Sequence, residues 1–349
     1  MVKKFKISAR TVLSVLTLAL VVYVIKQNWP DIVETLNHFS EMNGFILLLL
    51  IPEQFIMYYT LGKIFFSYLE NRRGIKESSK KELLRISMEL NFVNHAVPAG
   101  GFGGLAFLTY RLHRYDVTAG QSSFMYIFRY VITTVFNYVQ ALIAIIILAI
   151  LNQIPAEATW IIWVSLIMNA GVFGALTLLI VIASSKKRLD FFSKIATNFV
   201  NFVVKIFSFG RKKNYLKPDK INHVLLDIHE SVLTARREKR QLKKPVFWGI
   251  AYSFFEIATY WIVAISIGHP ELLPHIMVGE AIGSVFDGIV PYGLYELGMA
   301  GVMIALGVDF QSATIITVAT RVFILILTIV SGWYPYNKTI TEKNNERSA

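Results

Sequence analysis

The chain has 349 residues, of which 54% are hydrophobic, with a mean hydropathy of +0.51 and a formal net charge of +12. It has no cysteine, which excludes disulfides, cysteine-ligated zinc, iron–sulfur clusters and thiol nucleophiles. The seven histidines show no metal-ligand spacing, so we expect neither a metal nor another cofactor. The positive charge is typical of cytoplasmic loops that face anionic lipid. We therefore expect lipid headgroups as partners. Because no nucleic-acid-binding motif is visible, we expect no nucleic acid as a partner.

Six apolar segments approach or exceed the roughly 20 residues that a membrane-spanning helix needs. In chain order they are 11–26, 43–69, 118–151, 159–184, 246–268 and 312–334. The first follows the basic sequence KKFK and lacks a small-residue cleavage site behind it, so we expect a retained span rather than a signal peptide. Two further apolar stretches, about 86–110 and 276–306, are interrupted by Pro and Gly and do not have the pattern of simple spans.

The distribution of Lys and Arg predicts the orientation of these segments. Segments rich in Lys and Arg, which we assign to the cytoplasm, are 1–10, 70–85, 185–245 and 337–349. Loops without either residue, which we assign to the outside, are 27–42, 152–158, 269–275 and 307–311. The stretch 86–110 then begins and ends inside, and 276–306 begins and ends outside. We therefore predict two re-entrant hairpins of opposite orientation, with both termini in the cytoplasm.

This arrangement predicts an all-α polytopic membrane protein built as an inverted repeat, as in secondary transporters. The predicted units are a first repeat (1–151), a fourth span (152–184), a cytoplasmic linker (185–245), the rest of the second repeat (246–336) and a cytoplasmic tail (337–349). Six plain spans with two buried, Pro-kinked helices are an alternative that also fits the hydropathy. Irregular backbone at membrane depth, however, needs a protein-lined or water-lined environment.

The linker 185–245 carries sixteen Lys or Arg against five Asp or Glu. Its patterns predict two amphipathic helices, one over 190–207 lying on the inner leaflet and one over about 219–240. About sixty residues is little for an enzyme core, so we expect no catalytic domain here. The basic cluster 235–244 either attracts anionic lipid or only sets the topology.

The two interrupted stretches share a spacing. Pro98 lies 31 positions before Arg129, and Pro291 lies 30 positions before Arg321. The sequences around the two prolines are NHAVPAGGFGG (94–104) and DGIVPYGLYE (287–296). Paired broken helices in the two halves of a membrane protein indicate a binding site between repeats.

Arg129 and Arg321 each lie about ten residues inside a predicted span, near mid-membrane depth. A charge at that depth costs about 3 kcal/mol or more, so each arginine needs an explanation. A guanidinium binds phosphate with two hydrogen bonds, which predicts a role in holding an anionic group. The alternative is pairing with a local carboxylate, such as Glu89, Asp287 or Glu296, for structure alone.

The remaining candidates lie on or near the interruptions. The glycine-rich stretch 99–104 either exposes backbone amides to an anion or allows close helix packing. Membrane carboxylates either pair with an arginine or carry a proton, whereas His95 is expected to be a structural, hydrogen-bonded residue. The predicted substrate-binding residues are Arg129, Arg321, Asn94, Pro98, Gly100, Gly101, Arg111, Asp287, Pro291, Gly293 and Glu296; none is predicted to be catalytic.

The order N-x-x-x-P-x-G-G-x-G-G, then Arg111 and Arg129, then P-x-G-x-x-E with Gly307 and Arg321, resembles the transmembrane region of lysylphosphatidylglycerol synthases. The resemblance covers nearly the whole chain. It implies a flippase-like membrane protein that moves a phospholipid or a lipid-linked sugar between leaflets. The family's soluble lysyltransferase domain is expected to be absent, since few residues follow Trp333. The second motif, PYGLYE, has fewer glycines than the commoner family form.

We expect a multi-pass protein of the plasma membrane that translocates an anionic phospholipid or a polyprenyl-phosphate-linked lipid. One alternative is a membrane-embedded transferase acting on lipids or lipid-linked glycans, of the kind that a phosphatidylglycerol lysyltransferase name implies. That enzyme needs a carboxylate pair, such as Glu89 and Glu296, in one cavity. Another alternative is an accessory protein that positions a separate lipid-modifying enzyme.

Overall fold

The computed structural model describes residues 42–69, 80–96, 102–191, 194–195, 197–198, 218–286 and 293–348, and all regular structure in these ranges is helical. The helices long and apolar enough to cross a membrane are Gly44–Leu69, Ala119–Ile150, Ala156–Leu178, Lys239–Ser266 and Phe310–Thr339. They match five of the six predicted spans; the sixth, 11–26, lies outside the described residues. The prediction of an all-α, multi-pass membrane protein is thus confirmed.

The longer helices of the described residues are labelled in chain order. They are α1 Leu50–Leu69, α2 Lys80–Ala96, α3 Phe102–His113, α4 Ala119–Ile150, α5 Trp160–Ala183, α6 Pro218–Arg237, α7 Lys243–Ser266, α8 Leu273–Gly283, α9 Leu294–Ala305 and α10 Phe310–Ser348. A helical turn, Gly44–Leu47, leads into α1. The start of α4 is fixed by a capping box, in which Thr118 and Gln121 exchange two hydrogen bonds of 3.2 Å, and such boxes satisfy amides left open at a helix start.

Each predicted hairpin consists of two short helices that pack against each other, α2 with α3 and α8 with α9. The four helices have 11 to 17 residues, fewer than the roughly 20 that a crossing needs. The connections 97–101 and 287–292 lie outside the described residues. A short 3₁₀ turn, Ser284–Phe286, extends α8 towards the second connection. The re-entrant path, the repeat and the orientation remain predictions.

The two halves of the chain are interleaved. α1 packs along α7, α2 packs against α10, and α8 packs against α4. The close approach of α10 to α2 requires a glycine, because a Cβ at Gly332 would lie 2.5 Å from Phe92 Cβ and 2.8 Å from the Met88 carbonyl oxygen. Each short-helix pair is therefore held by a long helix of the other half.

The linker 185–245, predicted to be cytoplasmic, contains α6, whose bounds agree with the helix predicted over 219–240. α6 packs against α4 and α5, and a 3₁₀ turn, Lys239–Leu242, joins it to α7. The helix predicted over 190–207 falls largely outside the described residues. α10 continues to Ser348 with Pro335 inside it, so the described part of the predicted tail is helical.

Candidate functional site

The end of α2 and the start of α3, which flank the first connection, meet two tyrosines of α4. Asn94, near the end of α2, accepts a 3.2 Å hydrogen bond from the Tyr126 hydroxyl of α4. The hydroxyls of Tyr126 and Tyr130 lie 3.3 Å apart. A Cβ at Gly104, in the first turn of α3, would collide with Asn94 Oδ1 and approach the Tyr126 hydroxyl to 2.9 Å. The glycine therefore permits Asn94, α3 and the tyrosines of α4 to meet.

Arg129 lies beside this cluster and is 8% exposed. Its Nη2 donates a 3.1 Å hydrogen bond to the Tyr252 hydroxyl of α7. Its guanidinium carbon lies 4.9 Å from the Tyr130 ring centre and 5.1 Å from that of Tyr252. Its Nε and Nη1 are buried and have no hydrogen-bond partner among the described residues. A guanidinium held by aromatic rings thus keeps two donors for an acceptor.

The carboxylate whose charge acts on Arg129 is Glu256 of α7. It lies one helical turn after Tyr252, so both residues are on one face of α7. Asn137 of α4 donates to Glu256 at 3.4 Å and to Glu280 of α8 at 3.1 Å. A polar layer therefore connects α4, α7 and α8.

Arg321 has a different set of neighbours. Its Nε lies 3.1 Å from Glu296 Oε1 as an ion pair that is not aligned for a hydrogen bond. Glu296 Oε2 accepts a 2.8 Å hydrogen bond from the Gly293 amide, and Gly293 has a φ of +105°, which favours glycine. The guanidinium carbon lies 3.9 Å from the Tyr295 ring centre. The second arginine is thus paired with a carboxylate at the edge of the second connection.

Arg129 contacts α7 directly, and Arg321 is connected to α7 through Tyr295 of α9. Arg129 is held by Tyr252, whereas Tyr295, beneath Arg321, donates a 3.0 Å hydrogen bond to Tyr260. Eight residues separate Tyr252 from Tyr260, which places the two contact sets about 12 Å apart along the helix. Among the described residues, the two arginines therefore have separate surroundings.

Arg111, another predicted binding residue, is 2% exposed and lies between two carboxylates. Its Nη2 donates to Glu82 at 2.7 Å, and its Nε lies 2.8 Å from Glu89 Oε2 in ion-pair contact without hydrogen-bond alignment. Glu89 Oε1 accepts from Arg85 at 2.9 Å and from Thr339 at 2.7 Å. The described contacts of Arg111 are those of a structural ion-pair network.

The network has a consequence for the transferase alternative, which needs Glu89 and Glu296 in one cavity. Glu89 contacts Thr339 of α10, and Glu296 contacts Arg321 of the same helix. Eighteen residues separate these positions, which corresponds to about 27 Å along the helix. The structure does not bring the two carboxylates together.

The other predicted positions, Pro98, Gly100, Gly101, Asp287 and Pro291, lie outside the described residues, as does the side chain of His95. In the part of the chain that the structure describes, no group of three or more His, Cys, Asp or Glu is placed to hold a metal ion.

Sequence reasoning missed the tyrosines that hold the arginines, because it selected charged residues and positions at or near the two Pro–Gly interruptions. A signal was present: Tyr252, Glu256 and Tyr260 recur at four-residue spacing and share one helix face. On α4, Tyr126 lies three residues before Arg129 and four before Tyr130, so it is a helical neighbour of both. Polar residues at such spacing inside an apolar span indicate a face turned away from lipid.

Residues 9–332 match the family model described as the lysylphosphatidylglycerol synthase TM region. Neither a curated protein nor a solved structure matches the chain. The family match spans the described helices from α1 through most of α10, including both arginines.

Proposed function

We propose that this chain, which belongs to the lysylphosphatidylglycerol synthase TM region family, moves an anionic lipid between the two leaflets of the plasma membrane. The observation that carries the proposal is Arg129. Its guanidinium is buried within a long apolar helix, yet Nε and Nη1 have no acceptor among the described residues. The phosphate oxygens of a lipid headgroup are strong acceptors for guanidinium donors.

The surroundings of Arg129 suit a headgroup rather than a small soluble anion. The rings of Tyr130 and Tyr252 cover the guanidinium, and Asn94 lies next to the Tyr126–Tyr130 pair. Hydroxyls and an amide beside the cation provide neutral hydrogen-bonding groups for the glycerol or sugar part of a headgroup. A purely structural Arg129, balanced by Glu256, is the competing explanation, and it predicts no dependence of lipid movement on the guanidinium.

The proposed path lies between two re-entrant hairpins of opposite orientation, α2–α3 entering from the cytoplasm and α8–α9 from the outside. Three features support it: the shared Pro–Gly–Arg spacing, the charge of the loops, and the exchange of packing partners, in which α2 contacts α10 while α8 contacts α4. Inverted repeats with broken helices are a recurring design of secondary transporters. Alternating access then exposes the Arg129 position to one leaflet at a time.

Arg321 is the second position of this proposal. Its pairing with Glu296 leaves it neutralised in the conformation described here, while Arg129 keeps its donors. Exchange of Glu296 for a lipid phosphate requires the ion pair to open. The side chain of Arg321 is 24% exposed and that of Glu296 is 16% exposed. Opening the ion pair therefore does not leave a deeply buried charge without a partner.

The test is lipid translocation in proteoliposomes, with a fluorescent phosphatidylglycerol in the lumen-facing or outer leaflet and a zwitterionic fluorescent lipid as comparison. We expect Arg129→Ala to lower the rate for the anionic lipid about tenfold or more, because two charge-assisted hydrogen bonds are lost. Arg129→Lys keeps the charge and should retain part of the rate. Arg114→Ala, at an exposed arginine, is the matched control and should leave the rate unchanged.

Elution as a single species on size exclusion and an unchanged thermal midpoint are required of each variant. Equal rates for Arg129→Ala and the parent protein would refute the assignment of the phosphate site. Absence of lipid movement by the folded parent, under any gradient, would refute the translocase itself.

A further inference from the structure

A second polar cluster inside the helices lies between α1 and α7 and is not explained by anion binding. Glu53 and Gln54, in the first turns of α1, are 6% and 1% exposed. Glu53 lies nine residues after Gly44, where the apolar segment begins, which places it about 14 Å along that segment. A carboxyl group at such depth requires a compensating partner.

Two oxygens of this cluster have no hydrogen-bond donor among the described residues. Both amide hydrogens of Gln54 have acceptors, because Nε2 donates to Glu53 Oε2 at 3.0 Å and to Thr259 Oγ1 of α7 at 3.3 Å. Thr259 in turn donates to the Phe255 carbonyl oxygen at 3.0 Å. Glu53 Oε1 and Gln54 Oε1 are buried and have no hydrogen-bond partner among the described residues. Two adjacent side chains, each more than nine-tenths buried, thus present acceptor oxygens without a donor.

No Lys, Arg or His of the described residues pairs with Glu53. Glu53 interacts electrostatically with Glu256 of α7, another carboxyl, which lies about one turn before Thr259. Glu53 also interacts electrostatically with Tyr58 of α1. Three arginines of the neighbouring helices have other contacts: Arg129 of α4 with Tyr252, Arg321 of α10 with Glu296, and Arg85 of α2 with Glu89.

We propose that Glu53, Gln54 and Thr259 form a binding site for a monovalent cation, either H⁺ or Na⁺. A bound cation supplies the positive charge that a buried carboxylate needs. Na⁺ is a hard cation that takes carboxylate, amide and hydroxyl oxygens, the ligand types present here. A proton on Glu53 Oε1 provides the missing donor for a neighbouring oxygen.

The position of the site gives it a role, which rests on the proposed lipid translocation. The Gln54–Thr259 hydrogen bond joins α1 to α7, and α7 carries Tyr252, the residue that holds Arg129. Occupancy of the cation site and occupancy of the phosphate position therefore act on the same helix. An ion gradient across the membrane supplies the free energy for uphill lipid movement in this scheme.

The first experiment measures cation binding without lipid transport. Purified protein in detergent is unfolded by heat over a series of NaCl concentrations, with choline chloride holding the ionic strength constant, and over a series of pH values. The parent should be stabilised by Na⁺ if the site takes sodium, or by lower pH with no sodium effect if it takes a proton, because a ligand that binds only the native state raises its stability.

Glu53→Gln, which keeps the size of the side chain and removes its charge, should weaken the response about tenfold or more, the loss expected for a charged ligand group. Thr259→Ala, which removes one neutral oxygen, should weaken it less and serves if Glu53→Gln does not fold. Glu157→Gln, at an exposed acid in the short 3₁₀ turn Ala156–Ala158, is the matched control and should respond like the parent. A parent that responds to neither ion, or a Glu53→Gln variant that responds as the parent does, overturns the site.

The second experiment imposes a Na⁺ gradient or a pH gradient on the proteoliposomes of the lipid assay. We expect one of the two gradients to drive lipid accumulation by the parent, and Glu53→Gln to equilibrate lipid without accumulation. Cation binding without any lipid movement would refute the translocase and keep the site. Lipid movement that neither gradient alters would refute the coupling and keep the translocase.

Discussion

The buried ion-pair network around Glu89 makes the sharpest prediction for stability. Arg111 and Glu89 are almost completely buried, whereas Arg85 is 24% exposed and Glu82 is 28% exposed. Glu89→Ala removes the carboxylate from Arg111, Arg85 and Thr339 at once. Breaking a buried pair costs about 3–5 kcal/mol, and we expect the lower end, about 3 kcal/mol, because Glu82 still contacts Arg111.

The matched control is Glu82→Ala, which removes the other carboxylate that contacts Arg111. Glu82 is partly hydrated, and exposed pairs contribute about 1 kcal/mol or less. Glu89→Gln keeps the volume and one acceptor oxygen, so its effect should fall between the two alanine variants. The ranking, Glu89→Ala most severe and Glu82→Ala least, follows from burial and not from the number of charges removed.

The assay is thermal unfolding in detergent, followed by the intrinsic fluorescence of the protein's tryptophans. About 3 kcal/mol corresponds to a lowering of the midpoint by roughly 5–10 °C in a chain of this size class. Glu82→Ala should lower the midpoint by a third of that or less. Equal shifts for the two alanine variants, or no shift for Glu89→Ala, would refute the view that α2, α3 and α10 are joined through Glu89.

Two further predictions concern local geometry. Gly104→Ala places a methyl group against Asn94 and should lower both the thermal midpoint and the lipid translocation rate. Gly171→Ala is the control and should be neutral or slightly stabilising, because no atom lies within 4 Å of the added Cβ. A neutral Gly104→Ala would contradict the close approach of α2 and α3. Thr118→Ala removes the capping box with Gln121 and should cost about 1 kcal/mol, seen as a lower midpoint that Thr118→Ser largely restores; full stability of Thr118→Ala would show that packing alone fixes the start of α4.

Much of the architecture was predictable from the sequence. The positions of the five described spans follow from apolar runs of sufficient length, because the bilayer imposes a minimum helix length. The end of α10 does not follow in this way, since the helix continues to Ser348. The amphipathic helix of the linker followed from the spacing of Ile221, Val224, Leu225, Ile228 and Val232. The two interruptions were visible as Pro and Gly within apolar stretches, and the structure divides both stretches into pairs of short helices.

The partners of the charged residues were predictable only in part. The pairing of Arg321 with Glu296 was among the alternatives, and it joins residues on neighbouring helices of one half. For Arg129, the predicted alternative was pairing with a carboxylate near the hairpins. Its described hydrogen bond instead goes to Tyr252, 123 positions away. Arg111 was predicted to bind substrate, and the structure places it between Glu82 and Glu89.

The sequence by itself determined that this protein is helical and multi-pass, with two apolar stretches interrupted by Pro and Gly. Hydropathy and loop charge are local properties of the chain, and the bilayer acts on them directly. Only the tertiary structure decided which arginine is neutralised and which keeps its donors. It also decided that Glu53 and Gln54 meet Thr259 across α1 and α7. Such pairings depend on how distant helices rotate and slide against each other as they pack, and the chain's local composition does not specify that register.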